Sequence, residues 1–327
     1  GGGSSSSDIS SGSTDVVARG VITQLGSIHV NGVKYELPAT GRYSSDDDNP
    51  SGDDVAANLV YQVGQMVSVR GRRNDDGVTG TASEVEYEAE VEGMAQGGQI
   101  LGITILQTPN TNNIVPGSPD PLSNSTRYEV SGVWLDDTTI EATFIKLDDD
   151  LGEGINGIDE IKGFVDSVNL GTNSFVVRGI TFNGYTGTPV IAPNDYVEVH
   201  FDNCSGNPLN CDLTGDGVEL EDDFFDQAEG LEVEIEGAVD KIPADCPPAA
   251  DFKVDGVCVD SDTAEWMDGL IDFDSLVQGS RVEAEGHMID AIPVDYLRAE
   301  KVKGRGNRVR VWSIGCNVGG NGAGTFQ

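Results

Sequence analysis

Val63-Gly64-Gln65-Met66-Val67-Ser68-Val69-Arg70-Gly71 alternates apolar and polar side chains and closes on glycine. A period of two marks a half-buried β-strand, and a glycine inside or ending such a strand lets the backbone coil sharply. Upstream lie Arg19-Gly20-Val21-Ile22 and Ser27-Ile28-His29-Val30-Asn31-Gly32-Val33-Lys34-Tyr35; downstream lies Thr81-Ala82-Ser83-Glu84-Val85-Glu86-Tyr87. Asn31-Gly32 and Asp76-Gly77 supply the hairpin signals between these strands.

The same pieces return in the same order. Ile28–Tyr35 is echoed by Ile100–Ile105, Phe175–Phe182 and Phe252–Val259. Val63–Gly71 is echoed by Tyr128–Gly132 and Gly279–Gly286, and Thr81–Tyr87 by Glu141–Ile145 and Arg298–Val302. Chance alternation can mimic one match but not an ordered set, so the chain reads as an internal repeat. The sequence predicts an all-β tandem array of small antiparallel OB-like β-barrels: 16–89, 90–157, 158–230 and 231–308. A Gly/Ser-rich segment, 1–15, precedes them, and a Gly-rich strand and tail, 309–327, follows. The junctions Tyr87–Gly93 and Leu231–Gly237 read as strands running straight from one barrel into the next, which predicts a stiff rod. Only Asp222–Glu229 and Thr263–Leu270 are candidates for short helices.

The pattern Gly20-Val-Ile, Ile28-x-Val-x-Gly32-Val, Val63-Gly64-x-x-Val-x-Val-x-Gly71 and Thr81-Ala82-x-x-Val85-Glu86 resembles a bacterial family of tandem OB-like modules of unknown function. That family is common in predicted lipoproteins and exported proteins. The resemblance is good in the first module, moderate in the fourth and degraded in the second and third. It implies a barrel array and an exported bacterial origin, and it carries no catalytic residues.

The chain has 327 residues, with 19 Lys+Arg against 56 Asp+Glu, a net charge of −37. Such a surface repels phosphate, which excludes nucleic acid as a partner. No apolar run reaches the roughly 18 residues of a helical membrane span. The opening Gly1–Ser7 tract lacks an initiator Met and reads as a processed flexible tether, with a lipid anchor before Gly1 as one option.

Five cysteines fall in the C-terminal half and none forms a Cys-x-x-Cys pair. Cys204 and Cys211 bracket a turn-forming stretch, and Cys246 and Cys258 bracket a short loop. Two local disulfides in an oxidising compartment are predicted. Cys316 remains over, as a buried thiol or a bond to another chain.

The best local motif is Asp212-Leu-Thr214-Gly-Asp216-Gly217-Val218-Glu-Leu220-Glu-Asp-Asp223. Oxygen ligands at positions 1, 3 and 5, glycine at 6, a carbonyl at 7 and a carboxylate at 12 are what a calcium loop requires. Asp212, Thr214, Asp216, Val218 and Asp223 occupy those positions and resemble the calcium loop of dockerin domains. Leu220 at position 9 departs from the pattern, and the alternative is an acidic surface loop. The acidic runs Asp46–Asp48, Asp53-Asp54 and Asp148–Asp150 read as solvated. His29, His200 and His287 sit in separate strand patterns, and with 6% aromatic residues a sugar-binding catalytic cleft is not indicated. No enzyme is expected.

Arg305, Arg308 and Arg310 gather beside Trp312 and Cys316 at the end of an otherwise acidic chain. A basic strand on an acidic body suggests head-to-tail contact with copies of itself by strand addition, with Arg308, Arg310, Trp312 and Cys316 between subunits. The leading functional expectation is therefore a non-enzymatic subunit of an extracellular fibre. The alternatives are a monomeric surface-anchored binding module and an acidic calcium-binding protein.

Overall fold

The computed structural model describes residues 12–45, 61–87, 89–117, 119–148, 158–221, 231–241, 246–291 and 294–305. The first barrel comprises β1 (Ser13–Val21), β2 (Ile28–Val30), β3 (Val33–Glu36), β4 (Arg42–Ser45), β5 (Met66–Asn74) and β6 (Thr79–Tyr87). The second comprises β7 (Val91–Gln96), β8 (Gln99–Ile100), β9 (Ile103–Leu106), β10 (Asn112–Asn113), β11 (Arg127–Asp136) and β12 (Thr139–Leu147). In the third are β13 (Asp159–Asn169), β14 (Ser174–Val177), β15 (Ile180–Asn183), β16 (Tyr196–Ser205) and β17 (Asn210–Leu220). The fourth holds β18 (Glu232–Asp240), β19 (Phe252–Val254), β20 (Val257–Asp260), β21 (Glu265–Met267), β22 (Arg281–Ile289) and β23 (Tyr296–Gly304).

Each set closes on the same plan. The five main strands form a ring in the order first, second, third, fifth, fourth, first, with the third and fifth parallel and the other main pairings antiparallel. This is the topology of a five-stranded OB-type barrel. In the first barrel the β1–β2 seam is narrow, carried by a Gln24–His29 bridge and by Thr23 N donating to His29 O at 2.9 Å. Of the two candidates for a short helix, Asp222–Glu229 lies outside the described residues, and Thr263–Leu270 contains β21. Trp266 there packs beside Phe252, so burial decides in favour of a strand.

Two sequence features explain the repetition. The hairpin between second and third strands is Asn31-Gly32, Leu101-Gly102, Arg178-Gly179 or Asp255-Gly256, with positive φ at both residues each time. Such a two-residue turn matches the twist of the strands it joins. The second feature is a bulge where the fourth strand presses on the fifth. A Cβ on Gly71, Gly132 or Gly286 would stand 2.3, 2.3 or 2.0 Å from the facing carbonyl oxygen, so only glycine fits. The third barrel has Phe201 there instead. Its ring is buried 4.9 Å from that of Phe182, and β17 bulges outward between Leu213 and Val218 to make room.

The barrels do not stand in file. β1 of the first pairs parallel with β18 of the last, from Val16↔Glu232 to Arg19↔Ile235, so those two share one 12-stranded sheet. The middle barrels share an 11-stranded sheet through β7 and β13. The expected rod is therefore corrected to a closed cluster in which the first and last units meet. Cores merge too: one apolar cluster runs from Val91 in the second barrel to Val218 in the third, and Val17 of β1 belongs to the core of the fourth. Val21, Met66, Val133 and Ala238 form an apolar contact among barrels one, two and four.

Candidate functional site at the barrel junction

Arg19 lies near the end of β1, and its guanidinium enters the space where all four barrels meet. Nη2 is 2.6 Å from Glu90 Oε1 of the second barrel and donates to the Tyr196 hydroxyl of the third at 2.9 Å. Nε is 3.0 Å from Asp255 Oδ2 of the fourth. The other Glu90 oxygen accepts from Trp134 Nε1 at 2.7 Å and from the Tyr196 hydroxyl at 3.3 Å. The Arg178 guanidinium covers the Trp134 ring at 3.6 Å, and its Nε donates to the Lys162 carbonyl at 2.7 Å. Phe164 stacks on Tyr196 at 4.8 Å and lies so close to Gly256 that a Cβ there would be 1.9 Å from the ring.

The electrostatics follow from burial. Desolvation opposes the Arg19 charge, but Tyr196, Glu90 and Asp255 together raise its pKa above the ordinary arginine value. Burial pushes the Glu90 carboxyl upward against the pull of Arg19, and it raises the Tyr196 hydroxyl. These charges face one another across barrel boundaries, and their chemistry is cohesion.

A second network seals barrel one to barrel four. Arg73 on β5 bonds Glu232 and Glu234 of β18 and reaches Glu285 of β22 at 3.1 Å. Lys301 and Lys303 donate to Glu285 at 2.7 and 3.0 Å. Burial lifts Glu234 to about 7, with Arg73 opposing. Burial and a hydrogen bond to Glu285 raise Glu232; the same bond and the two lysines hold Glu285 low against desolvation. The Tyr35 hydroxyl and Glu234 Oε2 are buried beside them without hydrogen bonds. Elsewhere, Arg127 bonds Asp148 at 2.6 Å and Asp159 at 2.7 Å, joining barrels two and three. Arg281 reaches Glu236 at 2.5 Å and Glu141 at 3.3 Å.

Four groups of described residues bring acidic ligand atoms within 4.8 Å of one another: Glu232/Glu234/Glu285, Asp251/Asp260/Asp262, Glu160/Glu198/His200 and Glu198/Glu219/Glu221. Arg73 and the lysines already neutralise the first. In the second, Asp251 accepts from Ser261 and Asp260 accepts from the Asp262 amide. A cavity of about 390 Å³ opens on barrel two, lined by Gln107, Thr108, Pro109, Thr111, Asn113 and Asp120, and no junction residue lines it.

Disulfides join Cys204 to Cys211 and Cys246 to Cys258, the two pairs read from the sequence. The segment read as a calcium loop begins as strand: Asp212 pairs with Asp202, Thr214 lies in the bulge, and Val218 is buried opposite Val199. The Asp216 side chain and Asp223 lie outside the described residues, as do Arg308, Arg310, Trp312, Cys316 and the acidic run Asp46–Asp48. Trp134 is buried and reaches the junction through its bond to Glu90. His200 sits 3.5 Å from Glu160, and His287 3.4 Å from Glu300. Sequence reasoning missed Arg19, Glu90, Tyr196 and Asp255. The signal available was a charge in the mainly apolar register of a first strand, at Arg19 and again at Lys162.

Residues 19–86, the first barrel almost from end to end, match a domain of unknown function, DUF5666. The match falls on the residues that carry the family resemblance in the sequence, and it covers well under half of the chain. No curated protein matches the chain.

Proposed function

We propose that the chain is a non-enzymatic, exported bacterial structural protein whose copies join head to tail, through the C-terminal strand, into an extracellular fibre. The observation that carries this reading is the junction around Arg19, where one buried cation ties four barrels into a block suited to transmitting force. The strongly shifted groups Glu90, Tyr196 and Glu234 are spent on inter-barrel contacts rather than aimed into a cleft, which favours a structural role over catalysis. Two disulfides fit an oxidising, extracellular or periplasmic setting. Calcium held by Asp212, Thr214, Asp216, Val218 and Asp223 would relieve repulsion within a chain of charge −37. The test is light scattering on the full-length protein at high concentration with calcium. Growth of large species that deletion of 307–327 abolishes supports the reading; a persistent monomer refutes it.

The polar cleft on barrel two favours a second reading, a lipid-anchored surface module that binds a glycan or a protein. Saturable binding by a monomer, lost on Asn113→Ala, would select it.

A further inference from the structure

Three of the four barrels carry a sixth, short strand. β4, β10 and β21 each lie parallel to the outer half of the fifth strand of their barrel, covering its edge over four, two and three residues. Barrel three departs from this. β15 covers the inner half of β17 at Asn210–Asp212, but among the described residues no strand pairs with Val218–Leu220 on the side away from β16. The segment that would supply the cover contains Pro189 and Pro193, which have no N–H to give a ladder.

The orientation of this edge follows from one bond. Glu221 N donates to Tyr196 O of β16, so the N–H and C=O groups of Glu219 also point toward β16. Those of Val218 and Leu220 therefore point outward, and Leu220 is 39% exposed. An unpaired strand edge is a template for another strand. Its face is acidic: Glu198, Glu219 and Glu221 cluster there, with Lys162 3.9 Å from Glu198 and 3.6 Å from Glu221.

We propose that this edge accepts residues 309–311 of a second copy, added parallel to β17 as the missing sixth strand of barrel three. Of all the segments outside the described residues, 306–327 alone contains lysine or arginine; the acidic ones are repelled by such a face and the neutral ones gain no attraction from it. Aligning Val309, Arg310 and Val311 with Val218, Glu219 and Leu220 sets Arg310 over the carboxylates and Val311 beside Leu220. Arg308 falls on the same face as Arg310. This assignment rests on the head-to-tail reading and names the acceptor in it.

The experiment mixes two full-length variants, both Cys316→Ser, one bearing Leu220→Cys and the other Val311→Cys. Mild oxidation should give a cross-linked heterodimer, whereas controls with either variant alone should not. A third chain carrying both cysteines that closes only on itself, with no heterodimer in the mixture, overturns the proposal in favour of self-docking. Assembly in light scattering without any 220–311 cross-link overturns the edge assignment and leaves the head-to-tail reading standing; absence of both assembly and cross-link overturns both. Leu220→Pro, which removes one outward N–H and leaves the bonds to β16, should slow assembly with an unchanged far-UV spectrum. Unaltered assembly with that spectrum counts against the edge.

Discussion

Replacing Arg19 by methionine keeps length and packing but removes the one cation that contacts Glu90, Tyr196 and Asp255 together. Glu90 is 2% exposed, so it is left buried with the neutral donors Trp134 and Tyr196 and the more distant charge of Arg178 in place of its direct ion pair. Breaking a buried pair in this way costs about 3–5 kcal/mol, against about 0–1 kcal/mol for a pair in water. Folded proteins are stable by about 5–15 kcal/mol, so the loss is a large fraction. Urea unfolding followed by Trp fluorescence and far-UV circular dichroism should give one coincident transition in the parent, because the barrels share sheets and cores. Arg19→Met should lower the midpoint at unchanged slope, the product of that shift and the slope matching the stated loss. The deficit should shrink toward acid pH, where Glu90, already pushed upward by burial, takes a proton. Arg19→Met with Glu90→Gln should recover part of it. A loss below about 1 kcal/mol at pH 7 would refute the reasoning, since it is the value of a solvated ion pair.

Glu234 titrates near 7 in the folded protein against 4.5 in the unfolded chain, so the protonated form stabilises the fold. That contribution is complete below pH 4.5 and is lost as pH rises through 7. Glu234→Gln should therefore gain on the parent by roughly 3 kcal/mol between pH 4 and pH 8 in denaturant titrations. Gly286→Ala drives a Cβ to 2.0 Å from the Arg298 carbonyl and should cost about 1–3 kcal/mol by the same assay. Opening the Cys204–Cys211 bridge by substitution to serine should cost about 2–3 kcal/mol, the closure entropy of so short a loop. Calorimetry should show calcium heat that Asp212→Asn diminishes; an unchanged isotherm removes Asp212 from the ligand set.

The barrels were legible because their constraints are local. The X-Gly hairpins, the alternation and the bulge glycines each act within a few residues, and each repeats. The disulfides were legible for the same reason, their partners being seven and twelve residues apart. The arrangement of the barrels was not. Pairing β1 with β18 unites residues more than two hundred positions apart, and the ion pairs of Arg73 with Glu232 and Glu234 that accompany it link charges no local pattern connects. The Arg19 site failed for a related reason. Its four contributors come from four barrels, each ordinary in its own repeat, and only the closed cluster brings them together. Asp148, read as part of a solvated acidic run, is instead buried and bonded to Arg127, and Glu90, Glu92, Glu129, Glu234, Glu283 and Glu285 are likewise all under 5% exposed.

Small-angle X-ray scattering tests the closed cluster most directly. A chain of this length folded into one block has a radius of gyration of about 20 Å. The account predicts a value near that figure with a single-peaked, nearly symmetric pair-distance distribution. A long-tailed distribution, as four barrels strung in file would produce, contradicts it.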